Sequence, residues 1–164
     1  MTQAPETNPW ITNFTRCVQD KFNKKWSLNF NYKLEKEIDV QKKEEGWKIY
    51  QTSSFGRFNC PCCSNSWSSA RTILLFHYRL KKKGLVLLRL FRQQCRECGN
   101  PTMLKPQVDS TQINQVFDRL VEKILKNCYH KNNVNENSRP LIPRKTKPHE
   151  VSLCEACRLG ICSF

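Results

Sequence analysis

Two cysteine pairs have the spacing at which side chains bind a metal ion: Cys60/Cys63 and Cys95/Cys98. In a C-x-x-C pair, a tight turn lets two thiolates bind the same ion. Between the pairs, segments 69–80 and 85–94 have the apolar and β-branched content of strands, and 81–84, KKKG, suits the turn of a hairpin. Because a hairpin brings its far ends together, the sequence predicts four thiolates around one tetrahedral Zn²⁺, as in a zinc ribbon.

A second set of candidate ligands lies near the C-terminus. It consists of one imidazole and three thiols, namely His149, Cys154, Cys157 and Cys162. Such a set is enough for a closed Cys3His site, and a closed zinc site is structural rather than catalytic. Cys128 is an alternative to Cys162 or His149, because it ends a predicted helix and could reach the cluster. We expect two structural Zn²⁺ ions, and the spacing leaves open which ligands share each ion.

Redox and catalytic chemistry are less favoured. The run Cys60-Pro61-Cys62-Cys63 superficially resembles a glutaredoxin C-P-x-C motif, whose first thiolate is activated at a helix N-terminus. Here 64–67 leads towards a strand instead. An iron–sulfur cluster on the same thiols is less suited to the ends of a hairpin than tetrahedral zinc. The sequence shows no Ser/His/Asp set and no phosphate loop, so it predicts no catalysis. Of the remaining cysteines, Cys62 is interpreted as a spacer within the first knuckle and Cys17 as a buried helix cysteine.

Two helices flank the segments that must position the cysteines. Asn8 and Pro9 suit the cap and first position of an N-terminal helix. Asp109 is expected to cap a long amphipathic helix that ends at Cys128 and packs across one face of a sheet. The Asn-, Lys- and Pro-rich stretch 129–148 predicts a loop.

The strands are predicted from alternation of apolar and polar residues. Residues 26–34 alternate throughout, which indicates a half-buried strand; 35–46 is a charged loop, and 46–51 resumes strand character. Both faces of 72–80 are largely apolar, which favours a central strand, and His77 is interpreted as a packed histidine rather than a ligand. The fold class is therefore α+β: a small antiparallel sheet with zinc knuckles, an N-terminal helix and a long amphipathic helix.

Composition limits the class of protein. The chain has 164 residues, ten cysteines and a formal net charge of +14. We expect a single domain over 1–164 with its core at about 10–162. Its first ten residues have no signal-peptide pattern, and no apolar run reaches the roughly 20 residues of a membrane span. The cysteines are therefore expected to lie in a reducing compartment, where clustered C-x-x-C pairs indicate metal or redox chemistry rather than disulfides. The charge predicts affinity for polyanions or anionic membrane faces.

The hairpin concentrates basic side chains, with Glu97 as the single acid between 69 and 98. The candidate nucleic-acid or partner contacts are Arg71, Arg79, Lys81, Lys82, Lys83, Arg89 and Arg92. Aromatic residues between them could stack on bases if they were exposed. The alternative is that the lysines form a solvated turn and the aromatics belong to the core.

The chain resembles the 3CxxC-type zinc-finger domain of the receptor-transporting protein family. The segments that carry the resemblance are GRFNCPCCSNSWSSA, LFRQQCRECGNP, KNCY and PHEVSLCEACRLGIC. The three C-x-x-C pairs of that domain match Cys60/Cys63, Cys95/Cys98 and Cys154/Cys157, and its histidine and final G-x-C match His149, Gly160 and Cys162. The match runs from about Trp10 to Cys162.

The resemblance implies an accessory protein that helps G-protein-coupled receptors of odorant, taste or opioid type to reach the plasma membrane. One branch of the family is associated with interferon-induced antiviral action and RNA binding, which is the alternative function. Members commonly continue into a C-terminal membrane anchor. The expected location is the cytoplasm, or the cytoplasmic face of the endoplasmic reticulum or plasma membrane if such an anchor exists in the full-length protein.

Overall fold

The computed structural model describes residues 8–131 and 150–162. The elements in these ranges are helix α1 (Pro9–Val18), strand β1 (Trp26–Phe30), helix α2 (Val40–Glu44), strands β2 (Lys48–Asn59), β3 (Ser66–Leu80), β4 (Gly84–Leu90), β5 (Gln93–Gln94) and β6 (Met103–Leu104), helix α3 (Ser110–Cys128), a 3-10 turn (Val151–Leu153) and helix α4 (Glu155–Arg158). The α+β class predicted from the sequence is confirmed.

Both long helices begin where their caps predict. The side chain of Asn8 accepts a hydrogen bond from the backbone N–H of Trp10 at 2.9 Å, and Pro9 follows as the first helical residue. Asp109 accepts from the backbone N–H of Gln112 at 2.9 Å. Each cap satisfies a backbone donor that the first turn leaves unpaired, so these two residues fix the starts of α1 and α3.

The main sheet has the strand order β1-β4-β3-β2, and β5 pairs with β6 in a separate small sheet. Strands β3 and β4 form the predicted antiparallel hairpin, with Leu80 opposite Gly84 at its tip. The central position predicted for β3 is confirmed, because β2 and β4 flank it and Leu74 and Leu75 are both fully buried although they point to opposite faces.

The sheet is mixed rather than wholly antiparallel. Strand β1 lies parallel to β4, with Trp26 beside Gly84 and Phe30 beside Leu88. Alternation in a strand indicates which side chains are buried, and it carries no information on the direction of the neighbouring strand. The prediction of an antiparallel sheet is therefore wrong for β1, the strand at one edge.

Other boundaries also differ from those predicted. The strand expected over 26–34 ends at Phe30. The charged segment expected as a loop contains the short helix α2, and the Asp39 side chain caps it by accepting from the N–H of Lys42 at 2.8 Å. Strand β2 is longer than predicted and runs to Asn59, next to the first knuckle. The predicted loop 129–148 lies outside the described residues from 132 onward.

Two apolar clusters cover the two faces of the sheet. One combines α1 and α3 with β3 and β4 and includes Phe14, Phe76 and Phe117. The other, on the opposite face, joins Ile73 and Leu75 to C-terminal residues. The long helix therefore packs across one face as predicted, while α4 covers the other. Among the helices of the described ranges, none is both long and apolar enough to cross a bilayer.

Candidate metal centres

The hairpin brings the first two cysteine pairs together. The Sγ atoms of Cys60 and Cys98 lie 3.5 Å apart and those of Cys63 and Cys95 lie 3.7 Å apart, and all four are within 4.8 Å of one another. Tetrahedral zinc with Zn–S bonds of about 2.3 Å places its sulfurs roughly 3.8 Å apart. The donor set and its spacing therefore fit a Zn²⁺ ion bound by four thiolates.

The turn after Cys60 is shaped by backbone hydrogen bonds. The N–H of Ser64 donates to the carbonyl of Cys60 at 2.9 Å, and the N–H of Cys60 donates to the carbonyl of Asn65 at 2.8 Å. Ser64 itself has a φ of 61°, in the left-handed region. The Asn65 amide also lies 3.8 Å from the Sγ of Cys95, so this turn contacts a ligand of the other pair.

Trp67 joins the two strands that carry the ligand pairs. Its ring stacks on Phe58 with centroids 5.2 Å apart, and its Nε1 donates to the Gln93 side chain at 3.0 Å. Phe58 and Gln93 each stand two residues before a ligand, Cys60 and Cys95 respectively. Trp67 therefore connects the backbone just before the first ligand pair to the backbone just before the second.

Backbone N–H groups favour the thiolate form of the first cysteine in each pair. The N–H groups of Cys98 and then Glu97 lower the pKa of the Cys95 thiol to about 6. The N–H of Cys63 is the main cause that lowers the pKa of Cys60. Zinc binds thiolates rather than thiols, so these donors favour the metal-binding form of Cys60 and Cys95. The pKa of Cys63 is instead raised to about 12 and that of Cys98 is also raised, since burial and the neighbouring thiols disfavour further negative charge, which a bound Zn²⁺ would compensate.

The third pair forms a separate group. Cys154, Cys157 and Cys162 have their Sγ atoms within 4.8 Å of one another, while Cys128 is not among them. Burial, together with the neighbouring thiols Cys154 and Cys162, raises the pKa of Cys157 to about 12. A bound Zn²⁺ would supply the positive charge that stabilises these clustered thiolates. Three of the predicted C-terminal ligands are thus assembled.

The remaining C-terminal ligand has two candidates, and the structure separates them. Cys128 packs against the apolar cluster under α3, whereas Cys154 belongs to the cluster on the opposite face of the sheet. The alternative that used Cys128 as a ligand is therefore wrong for this arrangement. His149 lies outside the described residues and remains the predicted fourth ligand.

Two interactions attach the C-terminal group to the sheet. The backbone of Cys154 forms a bridge with Gln93, two residues before the ligand Cys95. The half-buried Glu155 carboxylate accepts from the Arg92 side chain at 3.0 Å and its backbone N–H at 3.1 Å, and Arg89 lies 3.8 Å away. The two thiol groups are consequently linked through strand β5 rather than being independent appendages.

Several of the predicted basic contact residues already have partners within the protein. Arg89 donates to the carbonyl of Leu34 at 2.8 Å. Arg89 and Arg92 both form ion pairs with Glu155. Arg79 lies 3.8 Å from Glu45 and over the Trp47 ring at 4.6 Å. These arginines contribute to the packing around the sheet, and their role in binding a partner stays a prediction.

The lysines of the hairpin tip are placed differently. Lys81, Lys82 and Lys83 are exposed in the bend between β3 and β4, as expected for a solvated turn. Arg71 lies half-buried on β3, opposite the region where β2 and β3 shift register. The structure therefore does not gather the seven predicted basic residues on one surface, and the aromatics Phe76, Tyr78 and Phe91 are buried.

Sequence reasoning missed the residues that support the ligands. Asn65, Gln93 and Glu155 contact or adjoin the cysteines, but polar residues of these types occur throughout the chain and no spacing rule distinguishes them. The interpretation of Cys62 as a spacer is supported, since it lies outside the thiol group and accepts from the Asn100 amide at 2.8 Å. His77 is packed, as predicted, with its Nε2 2.9 Å from the carbonyl of Glu35.

Comparison with known proteins agrees with this arrangement. A family model described as a zinc-binding domain of the 3CxxC zinc-ribbon type matches residues 53–160, which contain all three C-x-x-C pairs. Zn²⁺ is therefore the structural cofactor of this domain. The search of solved structures finds no significant match.

The chain is also similar to curated proteins. It is 35% identical to receptor-transporting protein 3 of Mus musculus over 164 residues, which cover 96% of this chain and 34% of that protein. It is 32% identical to receptor-transporting protein 4 of Homo sapiens over 159 residues, 93% of this chain and 63% of that protein. It is 31% identical to receptor-transporting protein 1 of Mus musculus over 120 residues, which cover 71% of this chain and 46% of that protein. The chain thus spans between a third and just under two thirds of the length of these relatives.

Proposed function

The chain belongs to the receptor-transporting protein family with its 3CxxC zinc-binding domain, and from that premise we propose that it is a zinc-stabilised accessory protein that binds G-protein-coupled receptors and promotes their delivery to the cell surface. The observation that carries the proposal is the similarity, over nearly the whole chain, to proteins named for receptor transport. Receptors of the odorant, taste or opioid type are the proposed partners.

The metal chemistry supports a binding role rather than catalysis. Zinc held by the four thiolates of the hairpin has no open position for substrate or water, and closed sites of this kind stabilise a fold. The ions would pin the β3–β4 hairpin and the C-terminal segment on the sheet and so present a rigid surface. We therefore propose a non-enzymatic function.

The proposed location is the cytoplasm, or the cytoplasmic face of the endoplasmic reticulum or plasma membrane. All ten cysteines are free thiols, and eight of them lie in or next to the two thiol groups. Such thiols persist as metal ligands in a reducing compartment. In that location the chain would meet the cytoplasmic segments of a receptor during its export.

Surface delivery of a receptor tests the proposal directly. An epitope-tagged odorant receptor would be expressed with the wild-type chain, with Cys95→Ser or with Cys62→Ser, and surface receptor would be measured by flow cytometry on unpermeabilised cells. We expect the wild type and Cys62→Ser to raise surface receptor equally, and Cys95→Ser to give only background. Cys62 is the matched control because it lies beside the ligands but outside the thiol group.

Two results would contradict the proposal. One is an unchanged surface level with wild-type chain for odorant, taste and opioid receptors alike. The other is an increase of similar size with Cys95→Ser at equal expression, because the effect would then not depend on the zinc-stabilised fold. Co-precipitation of the tagged receptor with the chain provides the binding measurement beside the delivery measurement.

A further inference from the structure

Lysines from three separate parts of the sequence converge at one end of the main sheet. Lys81, Lys82 and Lys83 form the bend of the hairpin, and the N–H of Gly84 just after them donates to the carbonyl of Lys25 at 2.8 Å. The hairpin tip therefore touches the segment that precedes strand β1, which also contains Lys24.

Parallel pairing is what places these segments side by side. In parallel strands the residues that precede each strand leave the sheet at the same end. Trp26 is beside Gly84, so Lys24 and Lys25 precede β1 where Lys82 and Lys83 precede β4. An antiparallel β1 would instead carry its two lysines to the opposite end of β4, near the zinc ligands.

The C-terminal end of helix α3 adds a further lysine. The indole N–H of Trp26 donates to the Tyr129 hydroxyl at 3.0 Å, and the Phe22 and Tyr129 rings stack with centroids 5.3 Å apart. These contacts hold the end of α3 against the start of β1, and Lys131 follows two residues later. We name the six exposed lysines of this end the basic end: Lys24, Lys25, Lys81, Lys82, Lys83 and Lys131.

The charges of the basic end are not neutralised within the described part of the protein. The four ion pairs found there all involve arginines, and none includes a lysine of the basic end. All six side chains lie on the surface, where an external anion can reach them. Six like charges at one end of the sheet favour a partner with many negative charges.

We propose that the basic end docks on the surface of a membrane leaflet rich in anionic phospholipids. Lysine ammonium groups are compact point charges on flexible stems, and clusters of them near a bilayer are attracted by anionic headgroups without a shaped pocket. This surface has that character: it presents six exposed lysines, and Arg79 on the β3 arm of the same hairpin is already paired with Glu45. A cavity lined by Trp67, Gln93 and Arg96 lies elsewhere, towards the zinc ligands.

A single-stranded nucleic acid fits this surface less well. Such ligands bind through aromatic rings on which bases stack, in addition to positive charge. The aromatic residues beside the basic end are occupied: Trp26 is buried and covers Gly84, while the Phe22 and Tyr129 rings stack on each other. The surface offers charge without exposed rings, which suits a plane of headgroups. The inference does not depend on receptor binding, so either can fail alone.

The test measures vesicle binding by the intact, zinc-loaded chain of 164 residues. Vesicles of phosphatidylcholine with about 30% phosphatidylserine would be compared with pure phosphatidylcholine by flotation and by a partition titration. We expect binding to the anionic vesicles alone, and a steep loss of it between about 50 mM and about 500 mM salt, because screening shortens the range of surface charge.

Variants locate the contact surface. Each lysine near an anionic bilayer contributes roughly fivefold to partitioning, so we expect Lys81→Ser/Lys82→Ser/Lys83→Ser to weaken it roughly 100-fold and Lys24→Ser/Lys25→Ser roughly 20-fold. The control is Lys33→Ser/Lys105→Ser, which removes the same charge as the second variant. Lys33 follows the C-terminal end of β1 and Lys105 lies over the Tyr32 ring at 4.7 Å, so both lie at the other end of β1 from Lys24 and Lys25. We expect this control to change partitioning less than about twofold.

Three outcomes would overturn the proposal. Equal binding to neutral and anionic vesicles would exclude an electrostatic contact with headgroups. Equal weakening by the second variant and by its control would mean that net charge matters and the basic end does not. Wild-type chain that ignores anionic vesicles yet binds polyuridylate through these lysines would assign the surface to nucleic acid instead.

Discussion

At the scale of single residues, the metal ligands are distinguished from their neighbours by position rather than by type. Cys60, Cys62 and Cys63 lie within one turn, yet only the first and third reach the thiols of the second pair. The Cys62 side chain is exposed and bonds to Asn100 instead. We therefore expect a cysteine in this turn to be important for folding only if its sulfur belongs to the four-thiol group.

The pair Cys95→Ser and Cys62→Ser tests this distinction. Cys95→Ser removes a thiolate from the hairpin centre, and because structural zinc supplies about 10 kcal/mol or more of folding free energy, we expect loss of that ion and unfolding of the hairpin. Native mass spectrometry and circular dichroism would measure both effects. Cys62→Ser should retain full zinc content and change the free energy of unfolding by less than about 1 kcal/mol.

A folded, zinc-replete Cys95→Ser protein would contradict the assignment of the first centre. Loss of zinc from Cys62→Ser would contradict it in a different way, because it would show that Cys62 itself binds the ion. The two variants together therefore show whether Cys62 is a spacer or a ligand of the first centre.

At the scale of elements, the parallel contact between β1 and β4 depends on a glycine. The Trp26 ring covers Gly84 so closely that a Cβ built there would lie 1.9 Å from the ring. The same ring contacts Phe22 and bonds to Tyr129, so it has little room to move. Glycine at the start of β4 is what allows β1 to pack at this edge of the sheet.

We predict that Gly84→Ala destabilises the zinc-saturated protein by at least about 2 kcal/mol, because the methyl group would force the Trp26 ring out of its contacts. Urea denaturation monitored by tryptophan fluorescence would measure the change. Lys83→Ala is the matched control, since it alters the adjacent exposed residue, and we expect a change within about 0.5 kcal/mol. Equal denaturation midpoints for the two variants would show that the ring is not confined as the structure has it.

At the scale of the whole molecule, two thiol groups are joined through one short segment. Strand β5 precedes Cys95 of the first group and bridges to Cys154 of the second, and the Arg92–Glu155 ion pair reinforces the junction. The C-terminal segment also buries Ile161 against the face of the sheet that the long helices leave open. A Zn²⁺ ion in the second centre would thus hold the cover over the smaller of the two apolar clusters.

Zinc stoichiometry tests this arrangement. Native mass spectrometry of the intact chain should give two ions, and a chain truncated after Pro148 should give one, because the four hairpin thiolates remain. Cys157→Ser in the untruncated chain is the matched variant, which keeps the C-terminal segment but removes a ligand, and it should also retain one ion. One ion on the intact chain would mean that the knuckles share a single centre, contrary to the two thiol groups seen here.

The metal ligands of the first centre and much of the local structure follow from residue types and spacing. Cysteine spacing and the hairpin between the pairs were enough to predict the first centre, because a hairpin necessarily returns the chain to its starting point. Caps at Asn8 and Asp109 and the amphipathic pattern of α3 predicted both long helices, since these signals act within a few residues. The resemblance to 3CxxC domains rested on the same local spacings.

How distant segments meet is visible only in the folded protein. The direction of β1 beside β4 is invisible in an alternating pattern, and it is what brings Lys24 and Lys25 to the hairpin tip. The exclusion of Cys128 from the C-terminal group, and the pairing of Arg89 and Arg92 with Glu155, likewise depend on which face of the sheet each segment covers. Spacing describes contacts that a single turn or hairpin enforces, whereas contacts between elements are chosen by the packing free energy of the whole fold.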